Sequence, residues 1–436
     1  MEDMVSISKR IPVKEEFDVV VCGGGPAGIT AAISASRAGC RTALIERLGF
    51  LGGTAAAGLV VPISGFFHQG HQVTGGIAWE LVQRLEEVNG ACVEYPKGHV
   101  SVHIESYKLM VQRMMQESNV TLFTNSYLSD CIKQNEKVTH VIIQNKNGTE
   151  AIAGKTFIDA TGDGDLCSLA GVPMLEQSET LQPLSLCFIL EGADTSTDLL
   201  KDCIHHDGRN GMPSCNSEIQ SYLNQCVKEG RLKQFGGPWF NTLVQGNAIA
   251  VNVTRSAGNA VDCQSMQQAE SQLREDMFTI VDLLKKRYTE FKNCSIVSSG
   301  INAGIRESRH IQAMEVVTGE TLLSGKECIC PAARCAHPMD IHDADSSKQT
   351  LRSLERAAYV PHTALIPEKI PNLLAAGRCL SADRDAYASI RVQATLMSIG
   401  EAAGVMAAVQ CKKGCSMQTL PMEELKRQFV ERNFVL

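Results

Sequence analysis

Aromatic side chains are scarce in this chain, at 5% of 436 residues. A core without them is closed by Ala, Val, Ile and Leu, which suits helices laid on a sheet better than an aromatic-rich β-sandwich. No run of about 20 uninterrupted apolar residues is present, the length that a membrane-spanning helix needs. The first 16 residues also lack the apolar stretch of a signal peptide. Positive charge is not in excess: 41 Lys and Arg stand against 48 Asp and Glu, for a net charge of −7. With no basic stripe, nucleic acid and anionic membrane are disfavoured as main partners. The 17 cysteines include no CxxC pair, and neither Cys328/Cys330 nor Cys411/Cys415 has partners at zinc spacing. Reduced thiols, no metal site and a cytoplasmic location are the expectation.

What the chain does contain begins at Phe17. An apolar run, Val19 to Cys22, breaks at a glycine cluster, continues as an Ala-rich helical pattern and returns as a second apolar run ending on Glu46. That is a βαβ unit with a GxGxxG turn, the signature of a dinucleotide site. Gly23 and Gly25 make the turn and admit a pyrophosphate close to backbone, Gly28 lets the helix approach the strand, and the helix N-terminus supplies N–H groups. Glu46, 18 residues after Gly28, is placed to accept from ribose hydroxyls. Gly52, Gly53 and Thr54 follow at the distance from which a loop can return over the pyrophosphate.

Helical periodicity recurs at Ile77–Val88 and Ser106–Gln116. Strand-like runs follow at Val120–Phe123, Tyr127–Ile132, Val138–Gln144 and Ala151–Ile158, with a hairpin turn at Asn147-Gly148. This antiparallel meander ends in TFIDATGDGDL, a second Gly-rich turn. Beyond Val172 the pattern loosens, with helices at Glu218–Glu229 and Ser265–Tyr288 and strands near Leu184–Leu190 and Ala248–Val253. The chain then returns to an apolar strand and Gly turn, Ile370–Arg378, and a small-residue helix, Ala394–Val409. The expected fold is α/β. A Rossmann-like cofactor domain, parallel sheet plus small antiparallel meander, takes residues 1–171 and 349–436. An interleaved α+β substrate domain takes 172–348, with a contribution from 60–105.

The ordered set GGGPAG, LGGTAAAG, GGIAWEL, DATGDGDL, GIRESR, DIHD, NLLAAGRCLSA and RVQATLMSIGEAAG resembles the FAD-dependent oxidoreductases of the glutathione-reductase-like superfamily, in the group that carries GxRESR. The resemblance implies noncovalent FAD. It places Ala160, Gly162 and Asp163 near the ADP part, and Gly377, Arg378, Gln393 and Ala394 at the flavin. It also carries over Pro26, Ala27, Arg47 and Leu128 as cofactor-binding positions. A second GxGxxG is absent, so the chain resembles the two-domain type, which exchanges electrons with its own small-molecule substrate and an external donor or acceptor. At the flavin, N–H groups at the start of the last helix would favour the reduced form by about 1–2 kcal/mol. Two departures bear on substrate choice: Pro361-His362 stands where relatives have Pro-Tyr, and Asp194–Asn241 aligns with nothing in the group.

For chemistry, strand alternation in GIRESRHI sets Arg306, Ser308 and His310 on one face and Glu307 and Arg309 on the other. One arginine is read as a clamp on a substrate carboxylate or oxyanion, the other as a structural ion pair. In HPMDIHDAD, His342 is the candidate general base, a solvated polar loop being the alternative. His68, on a Phe66-Phe67 background, is a substrate-side candidate. The reading is hydride exchange between a small organic substrate and flavin N5, its direction open. Non-redox or redox-sensing use of FAD is the first alternative. A tRNA-modifying flavoenzyme, disfavoured by the acidic charge, is the second.

Overall fold

The protein is described by a computed structural model over residues 8–93, 99–177, 180–201 and 216–435. Of the unaligned stretch 194–241, residues 202–215 lie outside those described. The opening unit is β1 (Val13–Cys22), α1 (Pro26–Arg37) and β2 (Thr42–Ile45), followed by α2 (Gly53–Ala56), α3 (Gly76–Glu87) and α4 (Ile104–Glu117). Next come β3 (Thr121–Phe123), the meander β4 (Tyr127–Gln134), β5 (Lys137–Asn145) and β6 (Gly148–Asp159), and α5 (Asp165–Leu169). The middle region holds β7 (Phe188–Glu191), α6 (Ser217–Lys228), β8 (Trp239–Thr242), β9 (Ile249–Asn252), α7 (Cys263–Arg287) and β10 (Ser295–Ser299). The chain returns through β11 (Pro331–Cys335), β12 (Met339–His342), β13 (Gln349–Arg352), β14 (Ala358–Pro361), β15 (Leu373–Ala375), α8 (Arg384–Ile390), α9 (Gln393–Lys413) and α10 (Met422–Arg432).

Five strands run parallel in the order β3-β2-β1-β6-β15. β6 also pairs antiparallel with β5, which carries β4. Gly148 closes the β5–β6 hairpin at φ +107°, a conformation that glycine adopts without penalty. Residues 19–22 of β1 are buried on both faces, as expected of a central parallel strand: Val19 and Val21 enter one core, Val20 and Cys22 another. The carboxyl ends of these strands share one edge, stitched by Gly23 N–H to Ile45 O, Ala160 N–H to Cys22 O and Ala376 N–H to Asp159 O.

A second sheet, β8-β9-β7-β10, is antiparallel. Phe188, Leu190, Ile249 and Val251 face α6 and α7 in a core of their own, while Cys187, Ile189 and Ala250 turn into the core shared with the cofactor-side helices. The period-2 alternation thus seats this sheet between two apolar layers. Residues of the 60–105 segment, such as Ile63, Ile77, Leu81 and Val100, also pack into that shared core. The boundary expected at 348 falls between β12 and β13, which pair with each other.

Two local expectations are corrected. The GIRESRHI stretch is extended and alternates as expected, yet only the isolated bridges at Gly304 and Ile311 hold it, so it is not a strand of a sheet. The HPMDIHDAD stretch is not simply a solvated loop: Met339–His342 is β12 of a hairpin, and His342 is buried.

The firmest packing joins α1 and α9. Ala27 meets Gly400 and Ala31 meets Gly404, so the helices run parallel with backbones almost touching. Thr30 Oγ1 donates to Met397 O at 2.6 Å and Ser34 Oγ to Glu401 O at 3.0 Å, pinning the register. α9 is long and apolar enough to cross a membrane, but 94% of its apolar window is buried inside the protein.

A side chain at 400 would overlap the Ala27 carbonyl. Gly400→Ala should therefore destabilise the protein by about 1–3 kcal/mol despite the roughly 1 kcal/mol that alanine adds to helix propensity. Urea unfolding of the holoprotein checks this, and an unchanged midpoint would mean that the helices do not meet as described.

Candidate functional site

The glycines of the first turn divide by what surrounds them. A Cβ on Gly28 would overlap the Gly23 carbonyl, and one on Gly23, held at φ +106°, would overlap the Ala160 carbonyl. Gly25 differs: its φ is −77°, and nothing lies within 4 Å of where its Cβ would sit. The turn thus presents an open face of backbone at the N-terminus of α1, and no side chain caps that helix. Pro26 occupies the first helical turn, where a missing N–H costs nothing, and Ala27 lies behind it against α9. The Gly52-Gly53 loop folds back onto this turn. Gly52 N–H donates to Gly24 O at 2.9 Å, a Cβ on Gly53 would sit 2.8 Å from Gly25 Cα, and Thr54 is exposed beside it.

Glu46 is buried at the end of β2, where its carboxylate accepts from Gly24 N–H at 2.7 Å and Leu48 N–H at 2.8 Å. Each oxygen keeps a lone pair for a further donor. Arg47 points the other way, its Nη2 donating to Asn302 at 2.6 Å. Leu128 is half-buried on β4, near the Ser126 N–H that donates to Glu46 O.

The turn after β6 is held by arginines. Asp159 is wholly buried and accepts from Thr161 N–H and Oγ1 and from Cys167 N–H. Arg309 Nε donates to Asp163 O at 2.8 Å and its Nη2 pairs with Asp165 at 2.5 Å; Arg378 Nη2 pairs with Asp163 at 2.7 Å and its Nη1 reaches Ile305 O. Burial, with the charges of Asp159 and Asp163, still pushes the Asp165 carboxyl up to about 6. Gly162, at φ +86°, leaves the room Arg378 needs, since a Cβ there would lie 2.8 Å from its guanidinium. Ala160 and Gly377 line the same strand ends. Of the two arginines of GxRESR, Arg309 is thus committed to this turn.

At the start of α9, Gln393 Nε2 donates to Val60 O at 3.0 Å, while its Oε1 and Thr395 Oγ1 are buried without partners. Ala394 is fully buried, and no side chain caps the helix. With Ala27 level with Gly400, α9 begins six residues, about 9 Å, beyond the start of α1. Two uncapped helix N-termini therefore point the same way, offset by about 9 Å along their axes, each with orphan N–H groups and positive dipole.

A third set of polar groups adjoins the α9 N-terminus. Arg306 is buried, donating to Pro183 O at 2.7 Å and Ser185 Oγ at 2.8 Å, and its own carbonyl accepts from Tyr387 OH. His342 stacks edge-on against Trp239 and lies between Arg255, whose Nη2 is 2.8 Å from Nδ1, and Asp340, whose Oδ2 is 2.9 Å from Nε2. An arginine can only donate, so Nδ1 accepts and the proton sits on Nε2. Burial and the Arg306 charge push this imidazole down to about 3 against the pull of Asp340. Both nitrogens are thereby taken and the ring is neutral, a geometry that does not suit the general-base role read from DIHD. Asp340 also accepts from Arg391 at 3.2 Å. His68 is not brought here: it sits on the hairpin Phe67–His68/His71–Gln72, 3.5 Å from Glu355 O. Arg255 and Gln182 were missed from sequence, since neither lies in a motif.

Residues 18–429 match the family described as FAD dependent oxidoreductase. Leghemoglobin reductase of Glycine max is 30% identical over 176 residues, 37% of this chain and 30% of that protein. Dihydrolipoyl dehydrogenase 1 of Arabidopsis thaliana is 30% identical over 176 residues, 37% of this chain and 31% of that protein. The chain thus spans about 30% of the length of these curated relatives. Among solved structures, a geranylgeranyl bacteriochlorophyll reductase-like protein of Thermoplasma acidophilum shares the fold, with a TM-score of 0.50 and 12% identity over 97% of this chain and 84% of that one.

Gly25→Val should yield a folded protein that no longer retains FAD, because nothing lies within 4 Å of a Cβ there and the branched side chain would occupy the open face; Gly28→Ala should damage the fold itself. Flavin content and the melting temperature of the apoprotein separate the two outcomes, and a Gly25→Val protein with full flavin would overturn the placement. Glu46→Gln should weaken FAD by about 1–3 kcal/mol, the range for a hydrogen bond to a charged group. Equilibrium dialysis against FAD measures it, and unaltered affinity would show that the carboxylate serves only Gly24 and Leu48.

Proposed function

The chain belongs to the FAD-dependent oxidoreductase family, and from that premise we propose that it is an enzyme exchanging a hydride between a small organic substrate and flavin N5, in either the dehydrogenating or the alkene-reducing direction. The observation that carries the reading is the pair of uncapped, parallel helix N-termini on one groove, with buried arginines beside the second. The residues fit FAD: the open backbone face at Gly25 suits a pyrophosphate, and Glu46 has acceptor capacity left for ribose. The buried Gln393 Oε1 and Thr395 Oγ1, unpartnered at the start of α9, support a polar ring edge binding there. No second dinucleotide turn is present among the described residues, and in this reading an external donor or acceptor completes the cycle. Free thiols at every described cysteine suit the cytoplasm.

When bound, the flavin supplies the hydride acceptor or donor. The protein does the rest. In this reading the Gly52-Gly53 loop covers the pyrophosphate, with Pro26, Ala27, Arg47, Thr54 and Leu128 around the nucleotide half. The turn Ala160–Asp163, braced by Arg309 and Arg378, would hold the ADP part, and Gly377 would lie at the flavin. N–H groups at Gln393 and Ala394, at the uncapped start of α9, would favour negative charge on a bound flavin by about 1–2 kcal/mol. Arg306 orients the substrate. His342 is a positioning residue that aligns Arg255 and Asp340, and water takes the proton.

Arg306 and Arg309 should separate in mutants. Arg309→Ala frees the Asp163–Asp165 turn and should lose FAD and thermal stability together. Arg306→Ala should keep FAD but lose substrate-driven flavin bleaching under anaerobic conditions. If Arg306→Ala bleaches like the parent at saturating substrate, Arg306 has no substrate role.

A further inference from the structure

Sequence spacing sets Cys411 beside Cys415, but the fold gives Cys411 a different neighbour. Ala31 on α1 lies level with Gly404 on α9, so Cys411, near the end of α9, lies level with Ala38, where α1 ends. Cys40 follows two residues later, at the entry to β2. Asp18 of β1 adjoins both cysteines. Its N–H donates to Arg41 O at 2.8 Å and its Oδ2 accepts from Arg41 N–H at 2.9 Å, which fixes the backbone next to Cys40, while its carbonyl accepts from Cys411 Sγ at 3.3 Å. The two thiols hydrogen-bond to each other. Gly414, at φ +65°, turns the chain at the end of α9 and takes Cys415 off the helical spacing that would set it over Cys411.

The pair is unequal. Cys411 is half-buried and Cys40 buried, so a small reagent arriving from solvent meets Cys411 first. Thr156 Oγ1, 3.1 Å from Cys411 Sγ, and the Asp18 carbonyl hold that sulfur in place. The Cys40 S–H stabilises negative charge on the Cys411 sulfur and Lys155 adds to it, against burial and Asp18. Cys411 is thereby held below the ordinary thiol range and Cys40, which keeps its proton, above it. Thiolate character and access make a cysteine react, and a second thiol in contact turns that reaction into a disulfide.

We propose that Cys411 and Cys40 are a site of reversible oxidation by a hydroperoxide, with Cys411 the nucleophile and Cys40 the resolving thiol. In the first step the Cys411 sulfur attacks one peroxide oxygen and the O–O bond breaks. The sulfur becomes a sulfenic acid, and the other oxygen leaves with a proton as water, or as an alcohol from an alkyl hydroperoxide. In the second step the Cys40 sulfur attacks the Cys411 sulfur, the S–O bond breaks, water leaves and the S–S bond forms. The dithiol gives up two electrons and two protons, and the peroxide takes both. An external thiol restores the dithiol by exchange. The new bond ties the end of α9 to the start of β2, across the α1–α9 contact. It lies about 27 Å along α9 from Gln393, so the site stands apart from the hydride-exchange reading.

The test treats thiol-reduced holoprotein with limiting hydrogen peroxide, blocks the remaining thiols by alkylation and maps the peptides by mass spectrometry without reductant. The expected product is the peptide of Cys40 joined to the peptide of Cys411, and dithiothreitol should separate them. Cys40→Ser should instead accumulate a sulfenic acid at Cys411, captured by dimedone. Cys411→Ser should leave Cys40 a free thiol under the same treatment. Both variants should keep full FAD content. If the buried Cys40→Ser does not fold, the map of the parent protein and Cys411→Ser, at a half-buried position, decide alone. A Cys411–Cys415 disulfide would overturn the proposal, as would a sulfenic acid that forms first at another cysteine. So would a Cys40–Cys411 bond that forms only in urea, or both thiols intact after excess peroxide.

Discussion

The backbone contact between α1 and α9 sets the geometry of everything near the groove. Glycine at 400 and 404 and alanine at 27 and 31 let the two helices lie closer than any larger side chains allow. Because the helices are parallel, that closeness brings two N-termini to the same side of the sheet. Because they are offset in register, the termini are separated along the groove instead of superposed. Thr30 and Ser34 lock the offset through hydrogen bonds to carbonyls of α9. A one-residue slip would move a methyl or larger group against a carbonyl, so the register is held by overlap as much as by attraction. Neither helix carries an aromatic residue, since a large ring has no place between backbones in contact.

The second constraint is electrostatic. GxRESR bridges the middle region and the cofactor half of the chain, with Arg306 turned toward Ser185 and Arg309 toward Asp163 and Asp165. Alternation along an extended segment is what sends neighbouring arginines in opposite directions, and it works here without a sheet ladder. Arg309 offsets carboxylates that burial would otherwise raise further, whereas Arg306 sits among other cations. The same motif therefore closes one charged site and opens another.

The parts legible in the sequence are those whose physics is local. Residues 17–46 announce themselves because period-2 and period-3.6 patterns meet at a glycine turn, and the meander does so through alternation and Asn147-Gly148. What was not legible depends on contacts distant in sequence. His342 resembles a poised base until Arg255, 87 residues earlier, is seen to occupy its Nδ1. Nothing in the local pattern NVTRSAG marks Arg255 as buried, since an arginine at a strand end is ordinarily solvated. Gln182 is equally silent, a single amide in a polar stretch. The β12–β13 hairpin was obscured because its strands of four residues carry His, Asp, Gln and Arg, the composition of a loop.

Along the groove the charged groups change character. Around the first turn, Glu46 is a buried acceptor of backbone N–H groups, and Asp163 and Asp165 of the second turn are engaged by Arg378 and Arg309. A buried acceptor such as Glu46 suits a cofactor whose hydroxyls need acceptors. Beside the α9 N-terminus, Arg391 and His342 both meet Asp340. A helix dipole and several guanidinium groups acting at one place favour electron-rich forms there, whether the charge resides on reduced flavin or on a bound acid. Hydride arriving on a flavin and an anionic group lying next to it would ordinarily repel. Cations near the ring would ease that conflict.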